Sequence, residues 1–208
     1  MSSAIEESGG TLYKYSAMAK AVHWSVASVF LVEFILAISF SRFNPGKPFY
    51  LPLAYSLHMS VGMAGLLLGA VFVIRRLIVG YPGSYENTGT VSRGLTRMVH
   101  ESLYVLAVVV PLTGWAILSV RVRPTQLFGP VDLPPIALLN ALPGELKHLA
   151  HEFYFPIHRM LGYIGIGLVS LHAAAALYHH FYRRDGVLKR MLPQFSGRLP
   201  QPRLKELE

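Results

Sequence analysis

The sequence contains no cysteine and only 11 acidic residues in 208, against 19 lysines and arginines. Without cysteine the chain forms no disulfide, ligates no iron–sulfur cluster, and holds no haem through thiolate or covalent thioether bonds. Charged residues make up 14% of the chain, well below the roughly 25% that is usual in soluble globular proteins. Hydrophobic residues make up 52%. The composition therefore indicates a chain that lies largely in lipid.

The basic residues give a formal net charge of +8, which by itself would suit a nucleic-acid partner. They stand at the ends of apolar stretches and form no patch with interleaved aromatic residues, so we predict no nucleic-acid binding. The N-terminal segment, the second connection and the C-terminal tail, with their flanks, hold 13 of the 19, and the other connections hold 6. The positive-inside rule therefore predicts that both termini lie in the cytoplasm.

Four apolar segments lie at about residues 21–40, 53–79, 98–120 and 155–182. Each reaches the ~20 residues that a helix needs to cross the hydrocarbon core. Backbone polar groups cannot stay unpaired in lipid, so these segments are predicted to be helices. We predict an all-α integral membrane protein, a four-transmembrane-helix bundle formed by residues 14–193. Polar tails are expected at its two ends, at residues 1–13 and 194–208.

The third connection, residues 121–154, is long and rich in proline, and it is predicted to lie outside the membrane. Its residues 145–153 have helical spacing of apolar side chains and are expected to lie along the membrane surface. His148 and His151 in this part are three residues apart and could bind a metal ion, but solvated histidines are the preferred interpretation.

Histidine is rare within membrane spans, where an ionisable residue usually marks function. Any one of the histidines in these segments could simply be a polar residue bonded to a neighbouring helix. Together they raise the question of whether their depths match in pairs. Those in or at the edges of the four segments are His23, His58, His100, His158, His172, His179 and His180.

Depth in the bilayer pairs four of these histidines. His158 and His172 are fourteen residues apart, so they share a helix face and lie about 21 Å apart along the axis. His158 then lies near the outer surface with His58, which comes early in the second helix. His172 lies near the inner surface with His23, which opens the first helix. His179, two turns beyond His172, is the main alternative as the inner partner of His23.

Two facing imidazoles at one depth can clamp a haem iron from both sides. Such ligation fills the axial positions of the iron, which suits electron transfer and disfavours oxygen binding. Gly62 and Gly162 each follow a paired histidine by four residues and would leave room for a flat macrocycle. Ordinary small-residue helix contacts are the alternative explanation for both glycines.

Other residues have candidate roles around such a centre. His100 could bond a haem propionate or a quinone carbonyl, and Trp24 could anchor the interface or pack on a haem edge. Glu33, near the middle of the first helix, could handle protons near a quinone or could be a neutral acid bonded to the second or fourth helix. Three arginines could pair with haem propionates, namely Arg75, Arg76 and Arg159. Alternatively, they could serve only as the basic residues that set the orientation of the chain in the membrane.

Ordered segments of the chain resemble the bacterial cytochrome b561 group, which includes a superoxide oxidase type. The resemblance covers roughly Lys14 to Pro193 and is strongest in the last helix. The matching segments are Lys14-Tyr15-Ser16, Ala19-Lys20, His23-Trp24, Leu57-His58 with Ser60 and Gly62, His100, Leu103-Tyr104, residues 111–115, His158 with Leu161-Gly162, residues 171–180, 184–188 and 190–193.

This resemblance implies a multi-pass cytochrome of the bacterial inner (cytoplasmic) membrane that binds two haem b groups (protohaem IX). It also implies axial ligation by four histidines, which are His23, His58, His158 and His172. The implied activity is that of an oxidoreductase that oxidises superoxide, or another outer-face donor, and reduces ubiquinone. A cationic outer entrance is expected at Arg121, Arg123 and Arg159.

Two alternatives remain from the sequence. The chain could be a non-catalytic membrane-anchor cytochrome b subunit that relays electrons between a partner redox protein and quinone. It could also be a histidine-rich metal transporter without haem, although Glu33 is the lone carboxylate near mid-membrane, which counts against that activity.

Overall fold

The structure, a computed structural model, describes residues 16–42, 51–79, 90–121, 125–184 and 187–192. The two polar tails and the first and second connections, at residues 43–50 and 80–89, lie outside the described residues. The elements in chain order are α1 (Ala17–Arg42), α2 (Leu51–Val79), α3 (Thr90–Ser119), β1 (Thr125–Leu127), β2 (Val131–Leu133), α4 (Ala137–Asn140), α5 (Gly144–Tyr178), a π-helical turn (His179–Arg183) and α6 (Val187–Met191).

Among the described residues, four helices are long and apolar enough to cross a membrane, as the sequence predicts. Helices α3 and α5 begin earlier than their apolar segments, at Thr90 and Gly144. Hydropathy marks only the part of a helix that lies in hydrocarbon, and polar turns can continue the same helix beyond it. The described parts of the chain therefore form a mostly helical bundle whose helices extend past their apolar spans.

Helix α5 differs from the sequence expectation at its N-terminus. Residues 145–153, expected as a separate surface helix, form the first turns of α5. With 35 residues, α5 is about 52 Å long at 1.5 Å per residue, against a hydrocarbon core of about 30 Å. The apolar side chains of Leu149 and Phe153 on these first turns are each 61% exposed.

Helix α3 forms the centre of the described bundle. Helix α1 packs on α2, α2 on α3, and α3 on α5, whereas α5 makes little backbone contact with α1 or α2. Most of the buried hydrophobic side chains among the described residues lie on α3 or directly after it, and these are Val99, Leu106, Ala107, Ala116, Ile117 and Val120. The α1–α2 pair and α5 therefore face each other across a wider space on one side of α3.

A close backbone approach joins α2 to α3. A Cβ atom added at Gly69 would lie 2.5 Å from the carbonyl oxygen of Ala107. Pro111 has no N–H and cannot donate to that carbonyl within α3, so the oxygen is released from the helical ladder. Only glycine allows α2 to pass this point so closely.

The connection between α3 and α5 forms a short antiparallel hairpin, in which Thr125 pairs with Leu133 and Leu127 with Val131. Backbone N–H groups of the connection bond to two hydroxyls that are 1% exposed. The Phe128 N–H donates to Ser60 Oγ (2.8 Å), and the Ile136 N–H donates to Ser119 Oγ (2.9 Å). These bonds fix the connection to α2 and α3. We call this end of the bundle the hairpin end.

The opposite end of the bundle carries α6. The chain turns back at Arg184, whose φ of 54° lies in the left-handed region. Helix α6 then reaches the start of α1, where Trp24 Nε1 donates to the Met191 carbonyl (2.8 Å) and Lys20 Nζ to the Leu192 carbonyl (3.1 Å). We call this end the α6 end.

Candidate functional site

The structure brings together both histidine pairs that depth predicts. At the hairpin end, the ring centroids of His58 and His158 lie 6.0 Å apart. At the α6 end, those of His23 and His172 lie 6.3 Å apart. A metal-bound imidazole nitrogen lies about 2 Å from its ion, so two rings that share one ion from opposite sides have centroids about 6 Å apart. Each pair therefore has the spacing that shared axial ligation requires.

The ring of His158 is held through Nδ1 by α3. This nitrogen lies 3.0 Å from the Val110 carbonyl oxygen and 3.0 Å from Thr113 Oγ1. The Thr113 hydroxyl donates to the same carbonyl (2.6 Å). A carbonyl only accepts, so Nδ1 carries the proton of the neutral ring and Nε2 has the lone pair that a metal ion needs.

Gly114 makes room for the His158 ring. A Cβ atom added at Gly114 would lie 3.2 Å from His158 Cε1, tighter than an ordinary contact. In the sequence, Thr113 and Gly114 stood out only as part of a family-like segment. Their contact with His158 depends on how α3 and α5 are rotated about their axes, which the spacing of one helix does not reveal.

His58 pairs with a carboxylate from another helix. Its Nδ1 contacts Oε2 of Glu33 on α1, and the side chains of His58 and Glu33 are 26% and 17% exposed. Metal-binding histidines usually donate their second N–H to a carboxylate or a carbonyl, which fixes the ring and its tautomer. The structure thus shows a contact between Glu33 and the second helix, and both interpretations of Glu33 remain predictions.

Three imidazoles, rather than two, meet at the α6 end. The ring of His100 lies 5.0 Å from that of His172, nearly perpendicular to it. His100 Nδ1 lies 2.7 Å from the Thr96 carbonyl oxygen and donates to it. His23 Nδ1 is buried and has no hydrogen-bond partner among the described residues. His179, the alternative inner partner, begins the π-helical turn and contacts the ring of Tyr178.

The arginines predicted near the haems have varied surroundings. Arg75 donates to Ser16 Oγ (3.3 Å) and Arg76 forms an ion pair with Glu101 (3.1 Å), both near the α6 end. Arg159 is exposed on α5, one residue after His158. Arg123 lies outside the described residues.

The glycines that follow the paired histidines differ from those at helix contacts. A Cβ atom added at Gly162 would meet no described atom within 4 Å, and one at Gly62 would lie 4.0 Å from Glu33 Oε1. At Gly65, by contrast, it would lie 2.9 Å from Val29 Cγ1 of α1. Helix packing therefore requires glycine at Gly65 and Gly69 and leaves open space at Gly162.

His151, in the N-terminal part of α5, takes part in local contacts. The ring of His151 stacks on that of Phe155 at 5.7 Å, and its Nδ1 lies 3.4 Å from a Glu152 carboxylate oxygen. Within the described ranges, no three histidine or acidic residues are arranged to hold a metal ion by themselves.

Comparison with known proteins connects this geometry to a family. Residues 14–194 match the family model described as prokaryotic cytochrome b561. The chain belongs to this family. The protein is therefore a membrane b-type cytochrome, an oxidoreductase of electron transport, and its four long apolar helices make it a multi-pass bacterial membrane protein. The family expected from the sequence is confirmed.

Curated relatives cover most of the chain. "Probable superoxide oxidase CybB" of Yersinia pestis is 29% identical over 185 residues, which are 88% of this chain and 98% of that protein. "Cytochrome b561 homolog 2" of Escherichia coli (strain K12) is 29% identical over 185 residues, 88% of this chain and 94% of that protein. "Cytochrome b561 homolog 1" of the same organism is 31% identical over 97 residues, 47% of this chain and 51% of that protein.

The site residues fit the haem b that the family implies. The facing rings have the separation that one iron atom requires, and the donor set consists of imidazoles in a chain without cysteine. The Nδ1 atoms of His58 and His158 are both engaged by protein groups, so each ring has Nε2 for the metal.

Proposed function

We propose that this protein is a di-haem cytochrome that carries electrons across the membrane. His58 and His158 would hold one haem b, and His23 and His172 would hold the other. This proposal rests on two histidine pairs whose ring centroids lie 6.0 and 6.3 Å apart, with His158 and His172 fourteen residues from each other along α5. Each haem, when bound, supplies an iron atom that accepts and releases one electron.

The protein residues hold the imidazoles and restrict access to them. Val110 and Thr113 keep His158 in one tautomer, and Glu33 does the same for His58. The hairpin covers the His58–His158 end, since the Phe128 N–H is bonded to Ser60, two residues after His58. Electrons are therefore transferred by an outer-sphere route, and the site formed by His58 and His158 needs no nucleophile and no acid–base pair.

Around the inner pair, we propose that His100 bonds a haem propionate or a quinone carbonyl. His179, Trp24 and the nearby arginines Arg75 and Arg76 complete these surroundings. The positions of these residues support this assignment. The ring of His100 lies 5.0 Å from that of His172, and Arg75 and Trp24 make their hydrogen bonds at the same end of the bundle.

In this proposal the protein lies in the bacterial inner membrane with both termini in the cytoplasm. The support is the distribution of basic residues, 13 of 19 of which belong to the N-terminal segment, the second connection and the C-terminal tail with their flanks. The hairpin end then faces outward, and His58 and His158 bind the outer haem.

We propose superoxide as the outer donor and ubiquinone as the acceptor within the membrane. Two superoxide anions release two electrons and become two molecules of oxygen, and ubiquinone takes up two electrons and two protons from solvent to become ubiquinol. The support is the relative named a probable superoxide oxidase. Exposed Arg121 and Arg159 supply positive charge that attracts an anion to this face.

An anchor-and-relay subunit is the second candidate. The observation in its favour is the apolar surface on the first turns of α5, where Leu149 and Phe153 are 61% exposed. A partner redox protein could dock there and deliver electrons to the outer haem.

The decisive experiment uses the purified full chain in lipid nanodiscs with ubiquinone. We expect a b-type reduced-minus-oxidised spectrum, two haems per chain, and ubiquinol formation when an enzymatic source supplies superoxide. Haem-replete protein that leaves ubiquinone oxidised would contradict superoxide oxidation. Recovery of activity only with a copurifying redox protein would favour the relay subunit.

A further inference from the structure

Glu33 is a largely buried acid near the middle of α1, and the mechanism above gives it only a holding role. An ionisable side chain in a membrane span is costly unless it has a partner. Its partner is Nδ1 of His58 on the neighbouring helix, and Glu33 Oε1 has no hydrogen-bond partner among the described residues. The carboxylate thus lies directly behind a proposed haem ligand.

A carboxylate behind a metal-bound histidine does more than fix the ring. By accepting the Nδ1–H bond it raises the electron density at Nε2, which strengthens the bond of that nitrogen to the metal. A negative charge on such a carboxyl group favours the more positive ferric state of the iron. Hydrogen bonding around an axial ligand is one of the means by which a protein sets a haem potential.

The other ligands differ in the charge of their Nδ1 partners. His158 has a neutral carbonyl and a neutral hydroxyl at 3.0 Å. His23 Nδ1 has no hydrogen-bond partner within the described part of the chain. Among His58, His158 and His23, the described structure thus places a carboxylate against Nδ1 of His58 alone, at the hairpin end.

We propose that Glu33 is a positioning residue that lowers the redox potential of the haem held by His58 and His158. This inference rests on the di-haem part of the proposed function. Because the redox potential of the outer haem is lowered, transfer of electrons that enter at the hairpin end to the haem held by His23 and His172 becomes more favourable. The bond from α1 to His58 would thereby set the direction of electron flow.

The test compares Glu33→Leu, which cannot accept the hydrogen bond, with Glu33→Gln, which keeps an acceptor oxygen without the charge. Val32→Ala is the matched control, because Val32 is adjacent in α1 and exposed. Full-length variants are titrated spectroelectrochemically, and ferric spectra are recorded by electron paramagnetic resonance. Haem per chain is measured on the same samples.

We expect Glu33→Leu to raise the midpoint potential of one haem, to change the low-spin ferric spectrum of that haem and to leave the other haem unchanged. Glu33→Gln should restore the ferric spectrum but keep part of the upward shift, and Val32→Ala should match the native protein. If Glu33→Leu loses one haem, the midpoint potential of that haem in Glu33→Gln tests the proposal instead: a raised potential supports it and an unchanged potential overturns it.

Unchanged potentials in both Glu33 variants of a two-haem protein would overturn the inference and leave the di-haem function standing. A shift confined to the haem that survives in His58→Ala would overturn it as well. Native protein with fewer than two haems would overturn the di-haem function and this inference together. His58→Ala with both haems retained would overturn the role of His58 as a haem ligand, and with it this inference, but not the presence of two haems.

Discussion

The imidazole of His158 lies directly over Gly114, so that a Cβ atom added to the glycine would stand 3.2 Å from Cε1 of the ring. The same ring is tied to α3 by its Nδ1 contacts with Val110 and Thr113. It therefore cannot move away from Gly114 without losing hydrogen bonds. The placement of this proposed ligand depends on the absence of one methyl group on a neighbouring helix.

The first prediction concerns this contact. Gly114→Ala is expected to displace His158 and to destabilise the haem site at the hairpin end by about 1–3 kcal/mol, the usual cost of overpacking. The measurement is haem per chain and thermal retention of the Soret band. Gly94→Ala is the control, because an added Cβ there meets nothing within 4 Å among the described atoms. Equal behaviour of the two variants would contradict the prediction.

The second prediction concerns the pairing of ligands. His58→Ala and His158→Ala should each remove the same redox component, and the double variant should lose no more than either single one. His23→Ala and His172→Ala should remove the other component. Redox titration with pyridine haemochrome assay measures this, and His151→Ala, whose ring stacks on Phe155, serves as the control. Loss of different components from His58→Ala and His158→Ala would refute the pairing.

The third prediction separates the two interpretations of the glycines. Gly162→Ala places a Cβ where no described atom lies within 4 Å, so helix packing should tolerate it. If Gly162 leaves room for the macrocycle, haem per chain falls while the amount of protein in the membrane is unchanged. Gly69→Ala, which crowds the Ala107 carbonyl, should instead lower the amount of folded protein. Full haem content in Gly162→Ala would leave that glycine without a role in haem binding.

The fourth prediction concerns attraction of the anionic donor. Arg121 is exposed at the hairpin end and donates to the Tyr55 hydroxyl (2.8 Å). Arg121→Gln should slow superoxide-driven ubiquinone reduction several-fold at low salt, because steering depends on charge. The difference should shrink near 1 M salt, where the Debye length is about 3 Å. Arg93→Gln, at the other end of α3, should behave as the native protein, and a salt-independent defect in Arg121→Gln would argue against steering.

Much of this architecture could be predicted from the sequence because depth along a helix is a one-dimensional quantity. A rise of 1.5 Å per residue converts positions into depths, so the four spans and the pairs His58–His158 and His23–His172 follow from counting. The structure brings both pairs to about 6 Å. The helix ends were less predictable, since polar turns extend α3 and α5 beyond their apolar spans.

Only the tertiary structure decided which side chains lie behind the histidines. The contacts of Glu33 with His58, of Gly114 with His158 and of His100 with His172 each join two different helices. Such contacts depend on helix rotation and on which helices are neighbours, and neither quantity can be counted along one chain segment. The sequence by itself determined the spans and the depths of the histidines, because lipid requires apolar helices of a given length. The packing of α1 on α2, of α2 on α3 and of α3 on α5 determined the surroundings of each ring.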